Sequence, residues 1–126
     1  MSNSFEKHQT PNRLSNKNQS YDDCICLIKF EYCDKKFPLE KLSDKHLKQL
    51  INFLKKIGKC TWNFIKNEDK SLNYETIDNP NERIPDNVPA DAQIISLRVS
   101  EKFRVEGFRN KENLYIIWFD KNHEAY

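Results

Sequence analysis

The sequence contains only two glycines, Gly58 and Gly107, among its 126 residues. Nucleotide-binding enzymes hold phosphates with glycine-rich loops, and two isolated glycines cannot form one. Apolar runs of about 18 residues are also missing, which excludes a membrane-spanning helix. The N-terminal residues MSNSFEKHQT lack the apolar core of a secretion signal. We therefore expect a cytoplasmic protein that does not bind a nucleotide cofactor.

The four cysteines, at positions 24, 26, 33 and 60, do not have the spacing of a zinc site, and no paired histidines follow them. Cys24 and Cys26 alternate within an apolar stretch, which favours buried, reduced thiols over a metal site or a disulfide. No convincing Ser-His-Asp or Cys-His pattern is present either. The sequence therefore predicts no metal ion and no small-molecule cofactor.

The net charge of +2 is too small to indicate nucleic-acid binding by itself. The charge is unevenly distributed, however, because the stretch from Lys35 to Lys70 contains ten lysines and four acidic residues. Two interpretations of this excess stay open: a solvated helix face, or a surface for an anionic partner.

A chain of this length is expected to form one domain. Residues 1–22 are rich in serine, asparagine and glutamine and nearly devoid of apolar residues, which predicts a disordered or loosely attached arm. Residues 23–126 are then the single folded domain. From Glu68 to Ala92 three prolines separated by short polar stretches predict an irregular connection.

Strand patterns occur at both ends of this domain. Residues 23–34 have strong β character and form the first predicted strand. The run from Gln93 to Tyr126 predicts three more, because apolar residues alternate with polar ones over residues 95–99 and 103–106. The stretch Leu114–Phe119 is apolar on both faces, as expected of a central strand.

Helix signals lie between these strands. Ser43 is a predicted N-cap and Gly58 a predicted C-terminal cap. Between them an apolar stripe has helical spacing: Leu47, Leu50, Ile51, Leu54 and Ile57. A shorter helix is predicted from Trp62 to about Asn67, started by Thr61, with Trp62, Phe64 and Ile65 in the core.

The resulting order, β-α-α-β-β-β, predicts an α+β domain in which two helices pack on one face of a small antiparallel sheet. Strand parity directs Arg98, Arg104 and Glu106 to the opposite face, and His123 and Tyr126 follow the last strand.

This layout resembles the RelE/ParE superfamily of small toxins, and the YoeB-like ribonucleases in particular. The residues that carry the resemblance are Ser96–Ser100, Glu101–Val105 and the closing His123 and Tyr126. The topological likeness extends over residues 24–126, whereas about thirty residues carry motifs. The chain departs from the family pattern in two respects. Glu124 and Ala125 separate the terminal histidine from the tyrosine, and the family's acidic general base, which normally precedes these strands, has only weak matches.

The resemblance implies a metal-independent endoribonuclease of a toxin–antitoxin pair. It would cleave mRNA, usually within the ribosome, by attack of a ribose 2′-OH on the adjacent phosphate, and an antitoxin-like protein would be its partner. Arg104 would stabilise the phosphorane, His123 would be the general acid, and Tyr126 would orient or stack on a base. The implied phosphate- and RNA-binding side chains are Arg98, Lys102 and Arg109.

The general base stays open among Glu75, Glu82 and Glu106. A structural role is also open for Asp120 and His123, which could close a turn by hydrogen bonding. The alternative function is a non-catalytic protein-binding module on the same scaffold, such as an immunity protein, a phage-encoded inhibitor or a ParE-like partner binder. The ribonuclease hypothesis predicts that Arg98, Arg104 and His123 converge, whereas the binding hypothesis lets them scatter.

Overall fold

The computed structural model of the protein describes residues 21–126. The arm predicted over residues 1–22 lies outside the described residues except for Tyr21 and Asp22. Asp22 is attached to the domain, because its carboxylate forms ion pairs with Lys66 at 3.1 Å and with Arg109 at 2.8 Å.

The core of the fold is a five-stranded sheet in the order β1-β5-β4-β3-β2. Its strands are β1 (Leu27–Lys29), β2 (Glu75–Ile77), β3 (Ile94–Arg98), β4 (Arg104–Asn110) and β5 (Asn113–Asp120). The predicted α+β class is confirmed. The sheet is mixed rather than purely antiparallel, because β1 pairs with β5 in parallel, and β2 is an additional strand inside the connection predicted to be irregular.

The first strand is much shorter than the predicted residues 23–34. Upstream of it the backbone bonds to another segment: Cys26 N–H donates to the Cys60 carbonyl, and Trp62 N–H donates to the Cys24 carbonyl. Downstream the chain turns after Lys29, so the β character of the stretch does not continue as sheet pairing. All four cysteines are free, and burial raises the pKa of the Cys26 thiol to about 12.

Helix α1 (Asp44–Ile57) begins as predicted, with the Ser43 hydroxyl accepting from His46 N–H. The buried positions are Leu50, Phe53 and Ile57. The prediction that Ile51 belongs to the buried stripe was wrong, because Ile51 is 52 % exposed. The buried side of α1 is centred on Leu50, Phe53 and Ile57, and Ile51 lies outside it.

The second helical segment begins at Trp62 as predicted, and it has π-helical geometry over Phe64–Glu68. Thr61 caps it, accepting from Phe64 N–H at 3.1 Å. Trp62 and Ile65 are buried as predicted, whereas Phe64 is 38 % exposed, so its placement in the core was wrong. Two short 3-10 turns, Leu39–Lys41 and Lys70–Leu72, complete the helical elements of residues 21–126. None of the helices in this part of the chain is long and apolar enough to cross a membrane.

Two apolar clusters lie on opposite faces of the sheet. The face against α1, here called the helix face, is wholly apolar at its centre and includes Ile95, Val105 and Ile116. The other face, here called the tail face because residues 121–126 fold over it, contains a smaller cluster with Ile94, Phe108, Trp118 and Ala125. The clusters are separated by the sheet itself, as alternating side-chain direction requires.

A register shift between Glu106 and Gly107 interrupts the β4–β5 pairing. Gly107 pairs with Ile116 and Glu106 pairs with Trp118, so Ile117 is the extra residue of a β-bulge. At this point the two backbones approach so closely that a Cβ on Gly107 would collide with the Tyr115 carbonyl oxygen. The bulge returns Trp118 and Asp120 to the tail face, where they join the polar side chains described next.

Candidate functional site

Polar residues from four strands line up across the tail face. Glu75 on β2 pairs with Ser96 on β3, which pairs with Glu106 on β4, which pairs with Trp118 on β5. Side chains directly opposite each other on neighbouring strands share a face and lie close together. The next row contains Arg98, Arg104 and Asp120. The strands therefore bring two arginines, three acids and a serine to one surface.

Asp120 holds the last residues of the chain, 121–126 (the tail), against this surface. Its buried carboxylate accepts from Glu124 N–H and from Ala125 N–H, both at 2.8 Å, and its carbonyl accepts from His123 N–H at 3.3 Å. These bonds form the turn that was left open as a structural role for Asp120 and His123. From the other side, the Ala125 carbonyl accepts from Asn81 N–H at 2.6 Å.

The tail places the His123 and Tyr126 rings together, with centroids 4.4 Å apart. His123 lies in the left-handed backbone region at φ 58°, which turns the chain so that its ring meets the Tyr126 ring. The Tyr126 hydroxyl donates to Glu75 Oε1 at 2.6 Å and lies 2.9 Å from Ser96 Oγ. Burial, followed by the bond to Glu75, raises the pKa of the Tyr126 hydroxyl, so it stays protonated near neutral pH.

Arg104 lies on the predicted face but is 95 % buried, with 5 % of its surface exposed. Its Nη1 donates to the carbonyls of Ser100 and Glu101, both at 3.0 Å, and to that of Phe103 at 3.3 Å. These bonds fix the turn between β3 and β4. The Arg104 guanidinium therefore acts on the protein's own backbone, and it is not open to a phosphate from outside.

Glu106 is fully buried, and within the described residues neither carboxyl oxygen has a hydrogen-bond partner. Burial, and after it the neighbouring Asp120 carboxylate, raises the pKa of Glu106 to about 10, while Arg104 opposes the shift. Glu106 is consequently protonated at neutral pH. A protonated carboxyl cannot accept a proton, so Glu106 does not qualify as a general base.

The exposed members of the predicted set are Arg98, at the end of β3, and Lys102, in the turn that Arg104 supports. Arg109 is not part of this surface, because its position on β4 has the opposite parity to Arg104. Its guanidinium lies 4.4 Å from the Trp62 ring on the helix face and pairs with Asp22. The structure thus brings Arg98, Arg104, His123 and Tyr126 to one face and places Arg109 on the other.

One residue of this surface, Ser96, was not predicted as a site residue, and the position of Glu75, a candidate general base, was not predicted either. Ser96 has the same strand parity as Arg98, so alternation along β3 could have identified it. Pairing of Glu75 with Ser96 could not have been read from the sequence, since it depends on a three-residue strand whose register is set by non-local pairing. Within residues 21–126 no group of three or more histidine, cysteine or acidic side chains could hold a metal ion.

Comparisons with protein-family models, with curated proteins and with solved structures found no match to this chain. The geometry of the tail face is therefore the basis for assigning a function.

Proposed function

We propose that the protein is a small endoribonuclease of the toxin–antitoxin type, which cleaves mRNA without a metal ion. The observation that carries the proposal is the His123–Tyr126 ring pair, 4.4 Å between centroids, on the sheet face that also presents Arg98. Ribonuclease chemistry needs a proton donor, a base and a cationic group near one phosphate. This face supplies all three kinds of group.

His123 is the general acid in this proposal. A histidine can donate and accept protons near neutral pH. Its backbone is held by Asp120, and its ring is in contact with the Tyr126 ring, so the imidazole has a defined position on the tail face. Tyr126 contributes a partly exposed ring on which a base can stack, while its hydroxyl is fixed by Glu75 and Ser96.

Glu75 is the general base that the geometry favours among the three acids considered. Glu106 is protonated and buried. Glu82 faces Lys36, 3.8 Å away, at the margin of the tail. Glu75 is partly exposed and lies at the Tyr126 hydroxyl, next to the ring pair.

Arg98 and Lys102 are the phosphate-binding groups, because both are exposed and both lie where β3 ends and the turn to β4 follows. An arginine can grip a phosphate with two parallel hydrogen bonds. Arg104 is a positioning residue, since its three bonds to backbone carbonyls hold the turn that carries Lys102.

The proposed reaction is an in-line displacement at phosphorus. Glu75 accepts the proton of the ribose 2′-OH, and the 2′-oxygen forms a bond to the adjacent phosphorus. The bond from phosphorus to the 5′-oxygen of the next nucleotide breaks, and that oxygen takes a proton from His123. The products are a 2′,3′-cyclic phosphate and a free 5′-hydroxyl, and charge on the phosphoryl oxygens is offset by Arg98 and Lys102.

The test is an RNA-cleavage assay, with and without translating ribosomes, on the wild type and on His123→Asn. Asparagine tolerates the left-handed backbone region at this position but cannot act as a proton donor of the same kind. We expect cleavage to fall by about a hundredfold or more. His46→Gln, on α1, is the matched control and should cleave like the wild type. Wild-type protein that cleaves no RNA under either condition would refute the proposal.

The second candidate is a non-catalytic protein-binding module. It is favoured by the burial of Arg104 and Glu106 under the tail, which closes the deep part of the face. Exposed apolar side chains on Ile25, Leu27 and Phe64 also fit a protein partner, which in a toxin–antitoxin pair would be the antitoxin. Either function places the protein in the cytoplasm, where mRNA, ribosomes and an antitoxin are found.

A further inference from the structure

The exposed side of α1 carries a row of lysines. Lys45, Lys48 and Lys55 lie on the helix and Lys59 follows its last turn, and all four side chains are exposed. At about 100° per residue the three helical lysines fall within an arc of roughly 80° and extend over about 15 Å. This lysine row lies directly opposite the buried positions Leu50, Phe53 and Ile57.

The lysine row is not balanced by acids. Asp44, in the first turn, is the only acidic residue of α1. Within the described residues, the ion pairs formed by lysines use Lys36, Lys56 and Lys66, and none uses a member of the row. Like charges three or four residues apart destabilise a helix by about 0.2–0.5 kcal/mol per pair. A merely solvated helix gains from mixed signs, so this arrangement fits a surface that meets an anionic partner.

We infer that the lysine row binds the phosphate backbone of RNA without reading its sequence. The inference rests on the proposed function, since it gives the RNA substrate a second contact on the far side of the sheet from His123. The two surfaces are separate, because α1 covers the helix face while the ring pair lies on the tail face. Binding at the row would therefore raise the affinity for RNA without touching the reacting phosphate.

The shape and chemistry of the row favour RNA over an acidic protein. The row is convex and straight, and Ile51 is the only large apolar side chain exposed on α1. Protein interfaces usually need a buried apolar centre, which one isoleucine does not provide. Lysine ammonium groups act as point charges that suit a linear series of phosphates. The absence of exposed aromatic side chains on α1 is consistent with backbone contact rather than base stacking.

The test measures the affinity for a fluorescently labelled single-stranded RNA by anisotropy over a series of salt concentrations. All proteins carry His123→Asn, so that the probe stays intact. The row variant replaces three lysines of the row, Lys48→Gln, Lys55→Gln and Lys59→Gln. The matched control replaces three exposed lysines elsewhere that form no ion pair within residues 21–126, Lys29→Gln, Lys35→Gln and Lys70→Gln. Both variants lose three positive charges, so a difference between them reports position rather than net charge.

We expect the row variant to bind RNA about tenfold or more weakly than the His123→Asn parent, whereas the control stays within about twofold. Each phosphate contact adds about 0.7 to the slope of log affinity against log salt for single strands, so losing three should reduce it by about 2. Equal losses in both variants would overturn the inference in favour of simple net-charge attraction. Row-dependent binding of a poly-glutamate probe, with no row-dependent binding of RNA, would overturn it in favour of an acidic protein.

The same proteins separate this inference from the proposed function. If the wild type cleaves RNA but the two lysine variants bind RNA equally, only the inference about the lysine row is refuted and the proposed function stands. If the wild type binds RNA through the row but cleaves none, the proposed function is refuted, whereas the inference that the row binds RNA stands.

Discussion

The two faces of the sheet are made by the same strands but bury different chemistry, and each is anchored by one tryptophan. On the helix face Trp62 is fully buried, its ring packs against apolar side chains and the Arg109 guanidinium, and its Nε1 donates to the Glu112 carbonyl at 2.9 Å. On the tail face Trp118 is equally buried, and its Nε1 donates to Asp34 Oδ2 at 3.0 Å. Trp118, however, is flanked by the buried carboxyl groups of Glu106 and Asp120.

This difference indicates that the two faces have different roles. Apolar burial contributes roughly 25 cal/mol per Å² and needs no partner groups, so the helix face suits the role of the main stabilising core. Buried carboxyl groups cost free energy unless they are neutralised or hydrogen-bonded. On the tail face, Glu106 is protonated and Asp120 is hydrogen-bonded to the tail. The bonds of Asp120 also position His123 and Tyr126.

At a single pH, the largest effect on stability is expected from removing each tryptophan in turn. Trp62→Ala should lower the free energy of unfolding by about 3–5 kcal/mol, because it leaves a cavity and an unpaired Glu112 carbonyl. Trp118→Ala should cost less, because its cluster is smaller and its partner Asp34 is partly exposed and can be hydrated. Urea unfolding at one pH measures both, and equal losses would remove the distinction between the faces.

Helix-face packing is tested next at the β-bulge. Gly107→Ala should lower the free energy of unfolding by about 3 kcal/mol, because the added methyl group meets the Tyr115 carbonyl and the β4–β5 backbones must separate. Gly58→Ala is the matched control. Gly58 has φ −67°, a conformation that alanine adopts readily, so this change should alter stability by less than about 1 kcal/mol. A Gly107→Ala protein as stable as the control would mean that the close approach does not exist in solution.

Much of the helix face could be predicted from the sequence, because its signals are local. The Ser43 cap and the alternation along β3 each depend on neighbours within a few residues. The stripe on α1 was wrong at Ile51, since apolar spacing allows two overlapping arcs and only packing against the sheet selects one. The strand β2 was missed because three residues carry little pattern of their own, and pairing with β3 defines them.

For the tail face, the sequence predicted which strand side chains lie on it but not that they are buried. Strand parity correctly placed Arg98, Arg104 and Glu106 on one side of the sheet. Their burial depends on how residues 121–126 fold back, which in turn depends on Asp120 and on contacts with the 78–92 connection. Parity also shows why Arg109 differs, because an odd step along β4 separates it from Arg104.

A pH experiment compares a tail-face carboxyl with its neutral analogue. Glu106 has its pKa raised to about 10 in the folded protein, whereas an unfolded glutamate ionises near pH 4.5. The unfolded state therefore releases a proton between these values, and stability contributed by neutral Glu106 is full below about pH 4.5 and declines as the pH rises. Glu106→Gln should lack this decline, so the wild type should lose about 1.4 kcal/mol per pH unit relative to the variant. Parallel stability curves of the two proteins between about pH 5 and pH 9, measured by urea unfolding, would contradict a protonated Glu106.

The smallest effect is expected at the hydroxyl that ties the tail to the sheet. Tyr126→Phe removes the bonds to Glu75 and Ser96 while keeping the ring against His123, and should lower the free energy of unfolding by about 1 kcal/mol. Tyr115→Phe, on the same face, is the control and should stay within about 0.5 kcal/mol, because its ring packs on Phe108 and Tyr32 and its hydroxyl makes no hydrogen bond within residues 21–126. Under the ribonuclease proposal Tyr126→Phe should also slow cleavage, since the hydroxyl is what holds Glu75 beside the ring pair. A variant with lowered stability but unchanged cleavage would assign Tyr126 to the fold alone and leave Glu75 without evidence as the base.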